Sequence, residues 1–221
     1  MNASVSNQPN QKIEIGQLVI QARVPSGNGK YPVFVMLHGW TGDENSMWIF
    51  ASRLPAEAIL LSPRGLYASP LGGYSWYPKI DRDWPRMSDF DEAIAALARI
   101  LSPEYFPQGD FSQIRLVGFS QGAALAYCFA LSQQESLRAL AGLSGFMPEG
   151  GSSSGNSHLL EGLPVFIAHG TQDELVPVER ARQSARLLQQ AGAIVSYCEH
   201  EAGHKLNASC FRSMQTFFEQ N

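Results

Sequence analysis

A serine, a carboxylate and a histidine stand in this chain in an order and a setting suited to acyl transfer. The serine lies in Gly118-Phe119-Ser120-Gln121-Gly122. Before it, Ile114-Arg115-Leu116-Val117 is apolar and β-branched, as a strand requires; after it, Ala123-Ala124-Leu125 favours a helix. Strand, sharp turn and helix are the context in which Gly-x-Ser-x-Gly holds a serine hydroxyl out of a strained backbone turn. Gly118 and Gly122 are needed because a side chain would collide where strand and helix close on one another.

A serine hydroxyl is a weak nucleophile until a base takes its proton, and that base needs a carboxylate to orient it. At an elbow of this kind the expected chain order is Ser, then Asp or Glu, then His. Asp173 fits, in the turn His169-Gly170-Thr171-Gln172-Asp173 after an apolar run, with Glu174 as its neighbour and competitor. Capping the next helix or closing an Asx turn is the competing structural use of Asp173. Among five histidines, His204 follows the last strand and is the candidate base, with His200 as the alternative nearer that strand. His38 and His169 precede Ser120 or Asp173 and are assigned structural roles near the site, and His158 is expected on the surface. Two N–H groups should receive the oxyanion: that of Gln121 at the helix N-terminus, and that of Trp40 in the loop His38-Gly39-Trp40. Losing one such donor costs about 3 kcal/mol of transition-state stabilisation. An ordinary packed aromatic is the competing role for Trp40.

These residues need strand ends to carry them. Residues 13–24 partly alternate around Gly16 and predict opening antiparallel strands. Buried strands are predicted over Tyr31–Leu37, Ala58–Ser62, the run into Ser120, Ala139–Leu143, Pro164–Ala168 and Ala193–Cys198. Helices are predicted through Trp48–Leu54, from a Ser88/Asp91 capping box to Leu101, from Ser120 to about Gln133, over Val178–Ala191 and through Phe211–Phe218. Alternating strands and helices imply a mostly parallel sheet covered on both faces, with sites gathered at the strand carboxyl ends. Residues 1–12 read as a flexible tail and 13–221 as a single domain.

Composition narrows the function classes. With 44% hydrophobic and 16% charged residues the chain is globular rather than disordered. A net charge of −4, with no basic block, gives no electrostatic support to nucleic-acid or anionic-membrane binding. No apolar run approaches a membrane span, and no secretory signal is read in the polar first dozen residues, so a cytoplasmic location is expected. Cys128, Cys198 and Cys210 are odd in number and outside any C-x-x-C pattern, which predicts free thiols. H-E-x-x-H and clustered Cys/His ligands are absent, and no metal or organic cofactor is expected.

His38-Gly39-Trp40, Gly118-Phe119-Ser120-Gln121-Gly122-Ala123, Leu143-Ser144-Gly145-Phe146-Met147-Pro148, Gly170-Thr171-Gln172-Asp173, Val176-Pro177 and Gly203-His204 together resemble the phospholipase/carboxylesterase family of α/β hydrolases, over about residues 13–219. The resemblance implies an α/β-hydrolase fold without a large cap domain, a triad of Ser120, Asp173 and His204, oxyanion donors at Trp40 and Gln121, and action on esters or thioesters. Trp40 stands where the family often has a smaller aliphatic residue, and the segment from Ser62 to Tyr77 resembles the carboxylesterase branch more than the acyl-protein thioesterases. The expectation is a carboxylesterase for short to medium acyl chains, with acyl thioesterase or lysophospholipase activity as the alternative and an idle ligand-binding homologue as a remote one. Its partner would be a small ester, and it would be a monomer or homodimer.

The aromatic-rich segment 66–87 leaves the sheet on the side of the site. Tyr74, Trp76 and Tyr77, with Phe146 and Met147, are candidate walls of an acyl pocket; a packed surface loop is the equal alternative. Arg64, Arg82 and Arg86 could meet an anionic group, though structural ion pairs are the stronger expectation.

Overall fold

The computed structural model describes residues 10–79, 81, 83–133, 137–151 and 158–221. Ten strands and four α-helices follow in the order β1 (Gln11–Ile15), β2 (Leu18–Arg23), β3 (Tyr31–Leu37), β4 (Ile59–Pro63), β5 (Tyr67–Ala68), β6 (Tyr74–Ser75), α1 (Asp91–Ile100), β7 (Gly109–Phe119), α2 (Gln121–Ser132), β8 (Leu137–Leu143), β9 (Pro164–Gly170), α3 (Val178–Gln190), β10 (Ile194–His200) and α4 (Ala208–Gln220). Short 3-10 helices occupy Ser46–Arg53 and Met87–Phe90.

Eight strands form one sheet in the order β1-β2-β4-β3-β7-β8-β9-β10. The pairs from β4 to β10 are parallel, and β2 runs antiparallel to both β1 and β4. The pleat sends alternate residues to opposite faces. Val33, Val35 and Leu37 of β3 join a core with α1, α2 and α3, while Phe34 and Met36 join another with α4 and the Ser46–Arg53 helix. Being buried on both faces is why this strand reads as a continuous apolar run. After β3 the chain adds β4 on one side and β7 on the other. That reversal opens a crevice at the carboxyl ends of β3 and β7, the usual place for a ligand in an open α/β sheet.

Several expectations need adjusting. β1 begins at Gln11, and Lys12 pairs with Gln21, so the sheet starts inside the expected tail. The helix expected through Trp48–Leu54 is 3-10 rather than α. The cap expected at Ser88/Asp91 is supplied two residues earlier, where Asp89 accepts the Arg86 N–H at 2.7 Å. The larger correction concerns sulfur: Cys198 and Cys210 form a disulfide, and Cys128 alone is a free, buried thiol. The chain turns back from β10 into α4 and brings their Cα atoms to 5.9 Å, a tertiary proximity that a spacing of 12 residues does not announce. With this disulfide present, the cysteines lend no support to the expected cytoplasmic location. Among the described residues, no helix is long and apolar enough to cross a membrane. Arg82, named above as a candidate for an anionic group, lies outside the described residues.

Candidate active site

Ser120 occupies the turn between β7 and α2 with φ 53° and ψ −116°, a conformation costly for a residue with a side chain. Close packing surrounds the turn. A Cβ on Gly118 would strike the Gly122 carbonyl, and one on Gly122 would strike the carbonyls of Leu37 and His38. Both glycines are thus demanded by backbone contact. The Gln121 N–H heads α2, where N–H groups have no intrahelical acceptor and the helix dipole is positive.

Asp173 and His204 come from the loops after β9 and β10, and His204 Nδ1 lies 2.7 Å from Asp173 Oδ2. The Asp173 side chain is fully buried, and its Oδ1 accepts the N–H groups of Leu175 and Val176 at 3.0 and 2.9 Å. The Asx turn and the histidine contact therefore coexist, one on each carboxylate oxygen. Glu174, the competing carboxylate, is exposed. The His204 ring packs on Phe119, the residue before Ser120, at 5.0 Å between centroids. With Nδ1 donating to Asp173, the Nε2 of a neutral His204 ring carries the lone pair.

The other histidines support backbone. His38 is fully buried; its Nδ1 lies 2.7 Å from the Gly39 carbonyl and its Nε2 accepts the Gly65 N–H at 2.8 Å. Burial pushes its pKa below the ordinary histidine value, which suits a neutral ring with Nδ1 protonated. His169 is also buried with a lowered pKa, and its Nε2 lies 2.8 Å from the Val176 carbonyl and 3.4 Å from Asp173 Oδ2. His200 shapes the loop carrying His204, with Nε2 2.8 Å from the Lys205 carbonyl and Nδ1 3.4 Å from Cys210 Sγ. His158 is exposed beside Glu161.

Trp40 lies after β3, its side chain 52% exposed. Its neighbours Thr41 and Gly42 donate to the carbonyls of Tyr74 and Gly39, whereas the Trp40 N–H has no backbone acceptor among the described residues. Gly39 lets the loop approach the elbow, since a Cβ there would sit 3.2 Å from that of Ser120.

A family model described as Phospholipase/Carboxylesterase matches residues 20–221. The chain belongs to this family. It is accordingly a hydrolase of the ester-cleaving class. Acyl-protein thioesterase 1 of Emericella nidulans is 36% identical over 199 residues, covering 76% of this chain and 80% of that protein. Among solved structures, a Mesorhizobium loti carboxylesterase superposes with a TM-score of 0.79 at 19% identity, covering 97% of this chain and 100% of that one. A Bacillus cereus carboxylesterase does so with a TM-score of 0.77 at 23% identity, covering 93% and 95%. The two structures share the fold.

The residues expected to wall a pocket separate into two groups. Tyr77 lines an open cavity of about 490 Å³ together with Trp40 and Gln121. Trp76 instead is completely buried: its ring lies on His38 at 4.8 Å, and its Nε1 donates to the His38 carbonyl at 2.7 Å. Trp76 is scaffold for the loop after β3 and not a pocket wall. Phe146 and Met147 are likewise buried, the first against Trp84 and the second with its N–H on Ser184 Oγ at 2.6 Å. Tyr74 is half-buried under the Arg64 guanidinium, which donates to its hydroxyl at 3.1 Å. The aromatic segment therefore does both, walling the cavity with Tyr67, Pro70, Leu71 and Tyr77 and bracing the site through Trp76.

Two supporting contacts were not read from the sequence. The Gln121 side chain, beyond its N–H, accepts the Trp76 N–H at 2.9 Å and donates to Ser75 Oγ at 3.0 Å, tying the elbow to the aromatic segment. Glu44, at the far end of the loop carrying Trp40, is gripped by Arg64 through two bonds of 2.7 Å and meets Lys12 at 3.1 Å. Arg64 thus serves the structural ion pair expected of it. An acidic residue just beyond Gly39-Trp40, with an arginine at the next strand end, was the available signal.

Proposed function

We propose that the chain is a serine esterase in which Ser120 is the nucleophile, His204 the general base and acid, Asp173 its orienting carboxylate, and the N–H groups of Trp40 and Gln121 the oxyanion donors. The observation that carries the reading is the 2.7 Å contact of His204 Nδ1 with buried Asp173, at the strand ends that also carry the strained Ser120 turn. His204 Nε2 takes the Ser120 proton as Oγ attacks the ester carbonyl. Negative charge develops on the carbonyl oxygen between the two N–H groups. Collapse expels the alcohol with a proton from His204, and water then resolves the acyl-enzyme by the same steps in reverse order. The buried Asp173 stabilises the imidazolium in both halves. No cofactor takes part in this scheme.

The cavity lined by Tyr77, Pro70 and Leu71 beside Gln121 is the site for a short to medium acyl chain. Thioester cleavage is the second reading, favoured by the 36% identity to a protein named acyl-protein thioesterase 1. Hydrolysis of p-nitrophenyl esters from acetate to palmitate, with Ser120→Ala in parallel, tests the scheme. Turnover lost in the variant, with fluorophosphonate labelling of wild type alone, is the expected result. A long-chain optimum would favour the thioesterase or lysophospholipase reading. Folded wild type that neither turns over nor labels would point to a ligand-binding homologue.

A further inference from the structure

A second cavity, of about 500 Å³, shares Trp40 with the first. Met47, Ile49 and Phe50 of the 3-10 helix line it together with Phe119, Leu206 and Phe211. Trp40 lines both cavities and is half-exposed. A size of this order is ordinary for a small-molecule site. Lys205 is the one charged residue among those lining it, and Ile49 remains 72% exposed.

We infer that this second cavity receives the alcohol or thiol portion of the substrate, and that the leaving group is apolar, of aryl or branched-alkyl type. The inference rests on the catalytic reading above, and proton transfer supplies its direction. When the tetrahedral intermediate collapses, the bond from the carbonyl carbon to the leaving oxygen or sulfur breaks. The electron pair goes with that atom, which takes the proton held on His204 Nε2, while Ser120 Oγ keeps the acyl group. The leaving atom must therefore face His204. Lys205 and Leu206 follow His204 in the chain, Phe119 packs against its ring, and all three line the second cavity. Gln121, the residue after Ser120, lines the first and not the second. An ester carbonyl between the oxyanion donors then sends its acyl chain toward Tyr77 and its alcohol toward Ile49 and Phe211.

The test compares methyl and benzyl butyrate, whose alcohols are of nearly equal acidity, so that the ratio of kcat/KM reports on alcohol contacts. Wild type should prefer the benzyl ester. Ile49→Ser with Phe211→Ala should cut that preference about tenfold, the scale of losing apolar contacts in a substrate pocket. Ile49→Ser alone, at an exposed position, should move it in the same direction and guards against misfolding of the double variant. Leu71→Ser, in the first cavity, should shift acyl-length preference and leave the benzyl-to-methyl ratio in place. A ratio that follows Leu71 and not Ile49 would reverse the assignment and overturn it. A ratio that neither variant moves would remove the second cavity as a substrate site. Failure of the catalytic reading itself would be seen separately, as turnover surviving in Ser120→Ala.

Discussion

The Glu44–Arg64 pair offers the sharpest test of how the loop carrying Trp40 is held. The Glu44 side chain is 4% exposed, and the Arg64 guanidinium holds its pKa down to about 2 from an ordinary 4.5. A carboxylate whose pKa is depressed by folding stabilises the protein above its unfolded pKa and loses that contribution as pH falls through the folded value. The difference corresponds to about 3 kcal/mol at neutral pH, of which about 2 kcal/mol is gone by pH 3. Glu44→Gln preserves shape and one acceptor oxygen but removes the charge. Urea denaturation at pH 6 and pH 3 should show wild type losing about 2 kcal/mol more than the variant between those conditions. Because Glu44 anchors the loop bearing the Trp40 N–H, kcat for p-nitrophenyl butyrate should fall about tenfold with a smaller change in KM, part of the cost of removing an oxyanion donor outright. Parallel pH dependence in the two proteins would refute the assignment of the perturbed carboxylate. An unchanged kcat would refute the link between the ion pair and the proposed oxyanion donor at Trp40.

Asp173→Asn should lower kcat by about 10⁴-fold, the scale seen when a triad carboxylate no longer sets the histidine tautomer, with Tm and ester KM measured as controls. Trp76→Phe keeps an aromatic ring against His38 but leaves the His38 carbonyl without its indole partner, and should cost about 1–3 kcal/mol of stability by urea titration. The acyl-length profile should be less affected by this variant than by Leu71→Ser, because Trp76 is buried and Leu71 lines the cavity. Cys198→Ser should cost about 3 kcal/mol in unfolding free energy by freeing the loop between β10 and α4. Dithiothreitol should destabilise wild type by a similar amount and leave the variant's stability unchanged; equal responses would argue against the crosslink.

Local chemistry was legible in the sequence where neighbouring residues make the structure. The elbow occupies a dozen consecutive residues, and its strand, its glycines and its helix each leave a mark at a set spacing. Strand runs stood out for a similar reason: burial on both faces removes the alternation of a half-exposed strand, as in Tyr31–Leu37. Chain order brought Asp173 and His204 forward together, and the two side chains do meet.

The sequence alone thus determined the α/β alternation, the Ser120 turn and the family, because each is written in short spacings or in whole-chain similarity. Tertiary structure decided which face each side chain turns. Trp76 and Tyr77 are adjacent in the chain, yet one is locked beneath His38 and the other opens onto a cavity. That difference depends on Gln121 and His38, about 40 residues away in either direction. The same holds for Cys198 with Cys210, joined by the turn between β10 and α4, and for Glu44 with Arg64, joined where β4 lies beside β3. Whether a side chain lines a cavity, pairs or supports depends on partners that only packing of the sheet and its loops brings within reach.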